Sequence, residues 1–117
     1  MTVIFYGYKR CKTSREVEKA LRKHGVELRF IDILSEPPSR EVLTDLFKKY
    51  GIEGIVRRGK EDAKKVFEAW GLDGLLESLR REPGRLIRPI VIKGGEIYAG
   101  KDALSIIRPK NRGAGEE

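Results

Sequence analysis

Residues 2–7, TVIFYG, form an unbroken apolar and β-branched run with charge beyond it, the pattern of a buried strand. Val17, Ala20 and Leu21 then recur at helical spacing. Ahead of them Thr13-x-x-Glu16 has the form of a capping box, with Thr13 as the expected cap. Gly25 is placed to end that helix at about His24. LRFIDI (28–33) repeats the strand signature. In SEPPSREV, Ser39 is positioned to cap a second helix with an inner stripe of Leu43, Leu46, Phe47 and Tyr50, closed by Gly51.

GIEGIVRRGKED (51–62) has no apolar period and reads as a loop rich in glycine and charge. Ala63, Val66, Phe67 and Trp70 make the next stripe, stopped by Gly71. Asp73 is the expected cap of a short helix carrying Leu75, Leu76 and Leu79, which Pro83-Gly84 closes. RLIRPIVIKGGEIYAG (85–100) predicts two strands about a Gly94-Gly95 turn, an antiparallel hairpin. Lys101–Ile107 is a last short helix with Ala103, Leu104 and Ile107 inward. The tail 109–117, PKNRGAGEE, is polar and is expected to be disordered.

The order is β-α-β, a helical insert, a β-hairpin and a helix, which is the thioredoxin-like α/β plan with a mixed sheet. Two strands joined through a helix should lie parallel with a right-handed crossover, and the hairpin supplies the antiparallel partners. No repeat or second domain is visible, so residues 1–108 are expected to form one domain.

Charge and cysteine usage narrow the chemistry. The chain has 117 residues and a net charge of +7, with 37% charged residues, one cysteine and one histidine. Neither an internal disulfide nor a plausible zinc set can be built, and no bound cofactor or metal is expected. A free thiol suits a reducing cytoplasm. The N-terminal stretch does not read as a leader, and no apolar run nears the ~18–20 residues that span a bilayer, so no membrane partner is expected. The basic residues are dispersed rather than gathered into a stripe with aromatics. With no glutamine and abundant Glu, Lys and Arg, they fit a solvated, thermophile-like surface better than one that binds nucleic acid.

Cys11 is the feature this leaves unexplained. It lies between the first strand and first helix, flanked by Lys9, Arg10, Lys12 and Arg15. A thiol there faces free helix N–H groups and cations, both of which lower its pKa and raise its nucleophilicity. Cys11, Ser14 and Arg15 are therefore the candidate catalytic residues, Ser14 standing where dithiol enzymes place a second cysteine. His24 falls about 15 Å away at 1.5 Å per helical residue, too far to act as a base. With one thiol, any disulfide must join another molecule: glutathione, a small redox protein or a second copy of this chain.

YGYKRCKTSR, EPPSREVL, the Arg57-Arg58 loop and LIRPIVI occur in order across residues 2–108. In these segments the chain resembles the arsenate reductase (ArsC-like) family of the glutaredoxin-coupled type, which includes the Spx transcriptional regulators. The resemblance implies a thioredoxin-like thiol oxidoreductase whose Cys11 thiolate attacks arsenate, the adduct being reduced by glutathione and glutaredoxin. It implies that Arg88, with Arg58 or its neighbour Arg57, binds the oxyanion, and that Pro89 is a cis-proline facing the thiol. The third arginine of the enzymes is replaced here by Gly100, with Lys101 beside it, and the Spx Cys-x-x-Cys is absent. The alternative is an Spx-like regulator that docks on the RNA polymerase alpha subunit without turnover.

Overall fold

The structure is a computed structural model describing residues 2–108. Four strands, β1 (Thr2–Gly7), β2 (Glu27–Asp32), β3 (Ile90–Lys93) and β4 (Glu96–Ala99), form one sheet in the order β2-β1-β3-β4. β1 and β2 are parallel, with Phe5 opposite Phe30, and β3 runs antiparallel to both β1 and β4. This is the mixed sheet expected of a thioredoxin-like chain, with α1 (Lys12–Lys23) as the crossover.

Strand alternation loads both faces of the sheet. Val3, Phe5 and Val91 point to one side and pack with Val17 and Leu21 of α1 and with Ala103. Tyr6 and Ile90 point to the other, against Leu43 and Leu46 of α2 (Arg40–Ile55) and Leu75, Leu76 and Leu79 of α3 (Lys60–Arg81). A fully buried leucine contributes about 1.5–3 kcal/mol, so these two layers set the position of everything at the strand ends. Among the described residues no helix is long and apolar enough to cross a membrane.

Several local expectations need correction. The α1 cap is Cys11 rather than Thr13: helical geometry already begins at Lys12, and the Cys11 carbonyl accepts the Arg15 N–H at 3.0 Å. Ser39 does cap α2, accepting the Val42 N–H at 3.2 Å. The 51–62 stretch is only partly loop, since helix resumes after Gly51 to Ile55, Val56 bridges to Leu86, and α3 starts at Lys60. Asp73 pairs with Arg40 instead of capping a helix. Trp70 is not core: it is 74% exposed. β2 begins at Glu27 and ends one residue early, with Ile33 buried just beyond it. The first hairpin strand starts only at Ile90: Pro83–Arg85 is a 3-10 turn and Leu86 bridges to Val56 instead of joining the hairpin; the closing helix, Gly100–Ile107, is also 3-10. The expected disordered tail, 109–117, lies outside the described residues.

The Trp70 error has a clear cause. Gly71 takes φ +73°, which breaks the helix and folds the next turn back on the one before. A Cβ on Gly74 would fall 2.2 Å from that of Trp70, so the glycine makes room for this close approach and the indole is left outside. Gly51 (φ +71°) does the same in α2, bringing Gly54 against Tyr50, where a Cβ would sit 2.7 Å from the Tyr50 Cβ. Left-handed φ strains any residue carrying a Cβ.

Candidate active site

Cys11 is presented by a tight turn at the end of β1. Its N–H donates to the Tyr8 carbonyl at 3.0 Å, and the Tyr8 N–H donates to Ser14 Oγ at 3.2 Å. Ser14 is 1% exposed and thus pins the turn from inside, while Cys11 remains partly open to solvent. As N-cap residue, Cys11 lies over the unsatisfied amides of the first helical turn.

Burial pushes the Cys11 thiol up, but hydrogen bonding to the thiolate outweighs it. The Ser14 amide and hydroxyl, the Arg88 guanidinium and the Thr13 amide together hold the thiol below its ordinary value. This alters the expected cause. Arg10, Lys12 and Arg15 are exposed, and the Arg15 guanidinium turns to the Lys9 carbonyl at 3.5 Å. Lys9 itself lies 4.1 Å from the centroid of the Phe30 ring and pairs with Glu18 at 3.3 Å. The cation that reaches the sulfur comes from distant sequence, at Arg88. His24 sits at the far end of α1, its Nδ1 3.0 Å from the Ala20 carbonyl oxygen.

Arg88 is held by the β3 approach. The Arg88–Pro89 peptide is cis, Pro89 is buried, and its carbonyl accepts the Gly100 N–H at 2.7 Å. The Arg88 guanidinium lies 5.1 Å from the Tyr8 ring centroid and donates through Nη1 to the Gly84 carbonyl at 3.4 Å. Its Nε is buried with no partner, leaving a donor on a fork that suits a tetrahedral anion. Arg57 Nη1 donates to the same Gly84 carbonyl at 3.0 Å. Arg58 Nη2 lies 3.2 Å from where a Gly84 Cβ would start. Three guanidinium groups thus gather about Gly84, and one of them, Arg88, also lowers the pKa of the Cys11 thiol.

Cys11, Ser14 and Arg88 therefore come together, with Pro89 next in chain to Arg88. Arg57 and Arg58 join them by way of Gly84, and Arg15 does not. Gly100 is buried at φ +59°, and the adjacent Lys101 pairs with Glu16 at 3.9 Å. Tyr8, Gly84 and Arg85 were missed from sequence. Gly84 reads there only as a helix stop; the one available signal was its place four residues before Arg88.

A glutaredoxin family model matches residues 3–54. A protein of Neisseria gonorrhoeae that carries the provisional name arsenate reductase is 32% identical over 92 residues, covering 71% of this chain and 87% of that one. The uncharacterized protein YusI of Bacillus subtilis is 30% identical over 116 residues, covering 86% and 91%. In three dimensions the chain is similar to an arsenate reductase from Vibrio cholerae, with TM-score 0.73 and 26% identity over 92% of this chain and 96% of that one.

Proposed function

The chain belongs to the glutaredoxin-coupled arsenate reductase family, which includes the Spx proteins, and on that premise we propose that it is a cytoplasmic reductase whose Cys11 thiolate attacks arsenate. It has the arsenate reductase-like thiol oxidoreductase fold. The observation carrying the reading is that Arg88, whose guanidinium helps hold the Cys11 thiol low, donates to the same Gly84 carbonyl as Arg57. An oxyanion seated on these forks is held against the nucleophile, which is catalysis by positioning and charge neutralisation.

The thiolate displaces hydroxide from arsenic(V), forming an S–As bond and breaking an As–O bond; the hydroxide takes a proton and leaves as water. A second thiol then supplies the other sulfur of a disulfide with Cys11 as the S–As bond breaks. The electron pair stays on arsenic, now arsenic(III). Cys11 is the chain's only cysteine, so the second thiol is external. We assign it to glutathione, with a glutaredoxin-like protein reducing the mixed disulfide by thiol–disulfide exchange. Ser14 and the helix amides stabilise the thiolate both before attack and as it leaves on reduction.

The test is arsenate reduction with glutathione and glutaredoxin. Wild type is expected to turn over, Cys11→Ser to be inactive, and Arg88→Gln to show a raised KM for arsenate. No turnover by the wild type, with retention of the protein on the RNA polymerase alpha subunit, would overturn this reading in favour of a regulator.

A further inference from the structure

The loop carrying Arg57 and Arg58 lies between α2 and α3, outside helix and strand, and both residues are exposed. A short loop does not by itself aim two guanidinium groups at a third from another part of the chain. Arg85, three residues before Arg88, supplies the constraint. Its side chain is only 12% exposed. Nη2 donates to the Gly59 carbonyl at 2.8 Å and Nε to the Arg58 carbonyl at 3.3 Å. Nη1 faces Asp62 at 3.3 Å and Glu82 at 3.1 Å. The Arg85 carbonyl in turn accepts the Arg57 N–H at 2.8 Å.

The loop is shaped around this side chain. Gly59 takes φ +74°, and a Cβ there would lie 2.9 Å from Arg85 Nη2. Every nitrogen of the guanidinium is engaged, and two carboxylates offset its charge, so Arg85 does not compete for an anion. A lysine has one ammonium and could not reach both carbonyls and both carboxylates at once.

We propose that Arg85 is a positioning residue for the anion site, clamping the Arg57-Arg58 loop to the segment that carries Arg88 so that guanidinium groups from two stretches close on one oxyanion. This rests on the reading that those arginines bind the substrate anion.

Inorganic arsenate is the probe, read by how well it protects Cys11 from iodoacetamide in the full chain. Wild type is compared with Arg85→Gln, Arg85→Lys, Arg58→Gln and Arg88→Gln. In Arg85→Gln the arsenate concentration for half-protection should rise about tenfold, equivalent to about 1.4 kcal/mol, with Arg85→Lys in between. Its alkylation rate without arsenate, and the pH midpoint of that rate, should match wild type, because Arg85 acts on the loop and not on the sulfur. A shifted midpoint in Arg85→Gln would mark general distortion and count against the proposal. Protection as in wild type for Arg85→Gln, with weakened protection in Arg58→Gln or Arg88→Gln, would overturn the clamp and leave the anion site standing. Protection that is absent in wild type, or unchanged in all variants, would overturn the anion site and the clamp with it.

Discussion

Ser14 Oγ accepts the Tyr8 N–H at 3.2 Å, and the same hydroxyl helps hold the Cys11 thiol below its ordinary value. One buried oxygen therefore shapes the turn and sets the charge state of the sulfur it presents. Both consequences can be read with no anion present.

Ser14→Ala should lower stability by about 1 kcal/mol, the low end of the cost of leaving an amide unpaired because the Tyr8 N–H is only partly buried, as read by urea unfolding. It should also raise the midpoint of Cys11 alkylation against pH, since two thiolate donors act through this residue and only its backbone amide survives. An unchanged midpoint would mean that the hydroxyl contributes to the turn alone.

Arg88→Gln should raise that midpoint too, with little effect on the turn. The sign for stability follows from the depressed thiol pKa. Ionised Cys11 favours the folded state fully above the ordinary thiol value, and that contribution fades as pH falls through the lower folded value. Wild type should therefore gain stability relative to Cys11→Ser as pH rises through this window, and Arg88→Gln should shrink the gain. Denaturant titrations at several pH values would measure it.

The element order, the parallel first pair with its antiparallel hairpin, and Cys11 at a helix N-terminus were legible because each depends on local pattern: an apolar run, a 3.6-residue stripe, a thiol on a hinge. The source of its activation was not. Lys12 and Arg15 are close in sequence, yet their α1 positions carry them outward, whereas Arg88 arrives through the antiparallel pairing of β3 on β1. Gly84 and Arg85 act through a carbonyl and a clamp, and neither role has a sequence signature. The helix breaks at Gly51 and Gly71 were readable; the close approach that follows each was not, although YGIEG (50–54) and WGLDG (70–74) share an aromatic, a glycine and a second glycine three residues on.

Gly71→Ala should cost about 1–2 kcal/mol, because a left-handed φ is strained once a Cβ is present. Gly74→Ala should also destabilise, by collision with Trp70, whose own replacement by alanine should change little because its ring is 74% exposed. Thermal unfolding of the three variants should give that ranking. A Trp70→Ala variant as damaged as Gly71→Ala would show that the indole is buried in solution.

Tyr50 tests how the far end of the sheet supports the site. Its hydroxyl donates to Asp102 and accepts the Ala99 N–H at 3.2 Å, and the next residue, Gly100, donates its N–H to the Pro89 carbonyl at 2.7 Å. Burial and the Asp102 hydrogen bond push the phenol up to about 12. The neutral phenol is thus the form the fold prefers. Its contribution is whole below the ordinary tyrosine value of about 10 and is lost as pH climbs through the raised one. Tyr50→Phe should be less stable than wild type by about 1 kcal/mol near neutral pH, through the orphaned Ala99 amide. The gap should narrow as pH rises from about 10 towards 12, where wild type must either ionise Tyr50 or unfold. Phenolate absorbance in a pH titration, compared between the two proteins, isolates this one group, and a Tyr50 that ionises at the ordinary tyrosine value of about 10 would remove its part in bracing β4 beside Pro89.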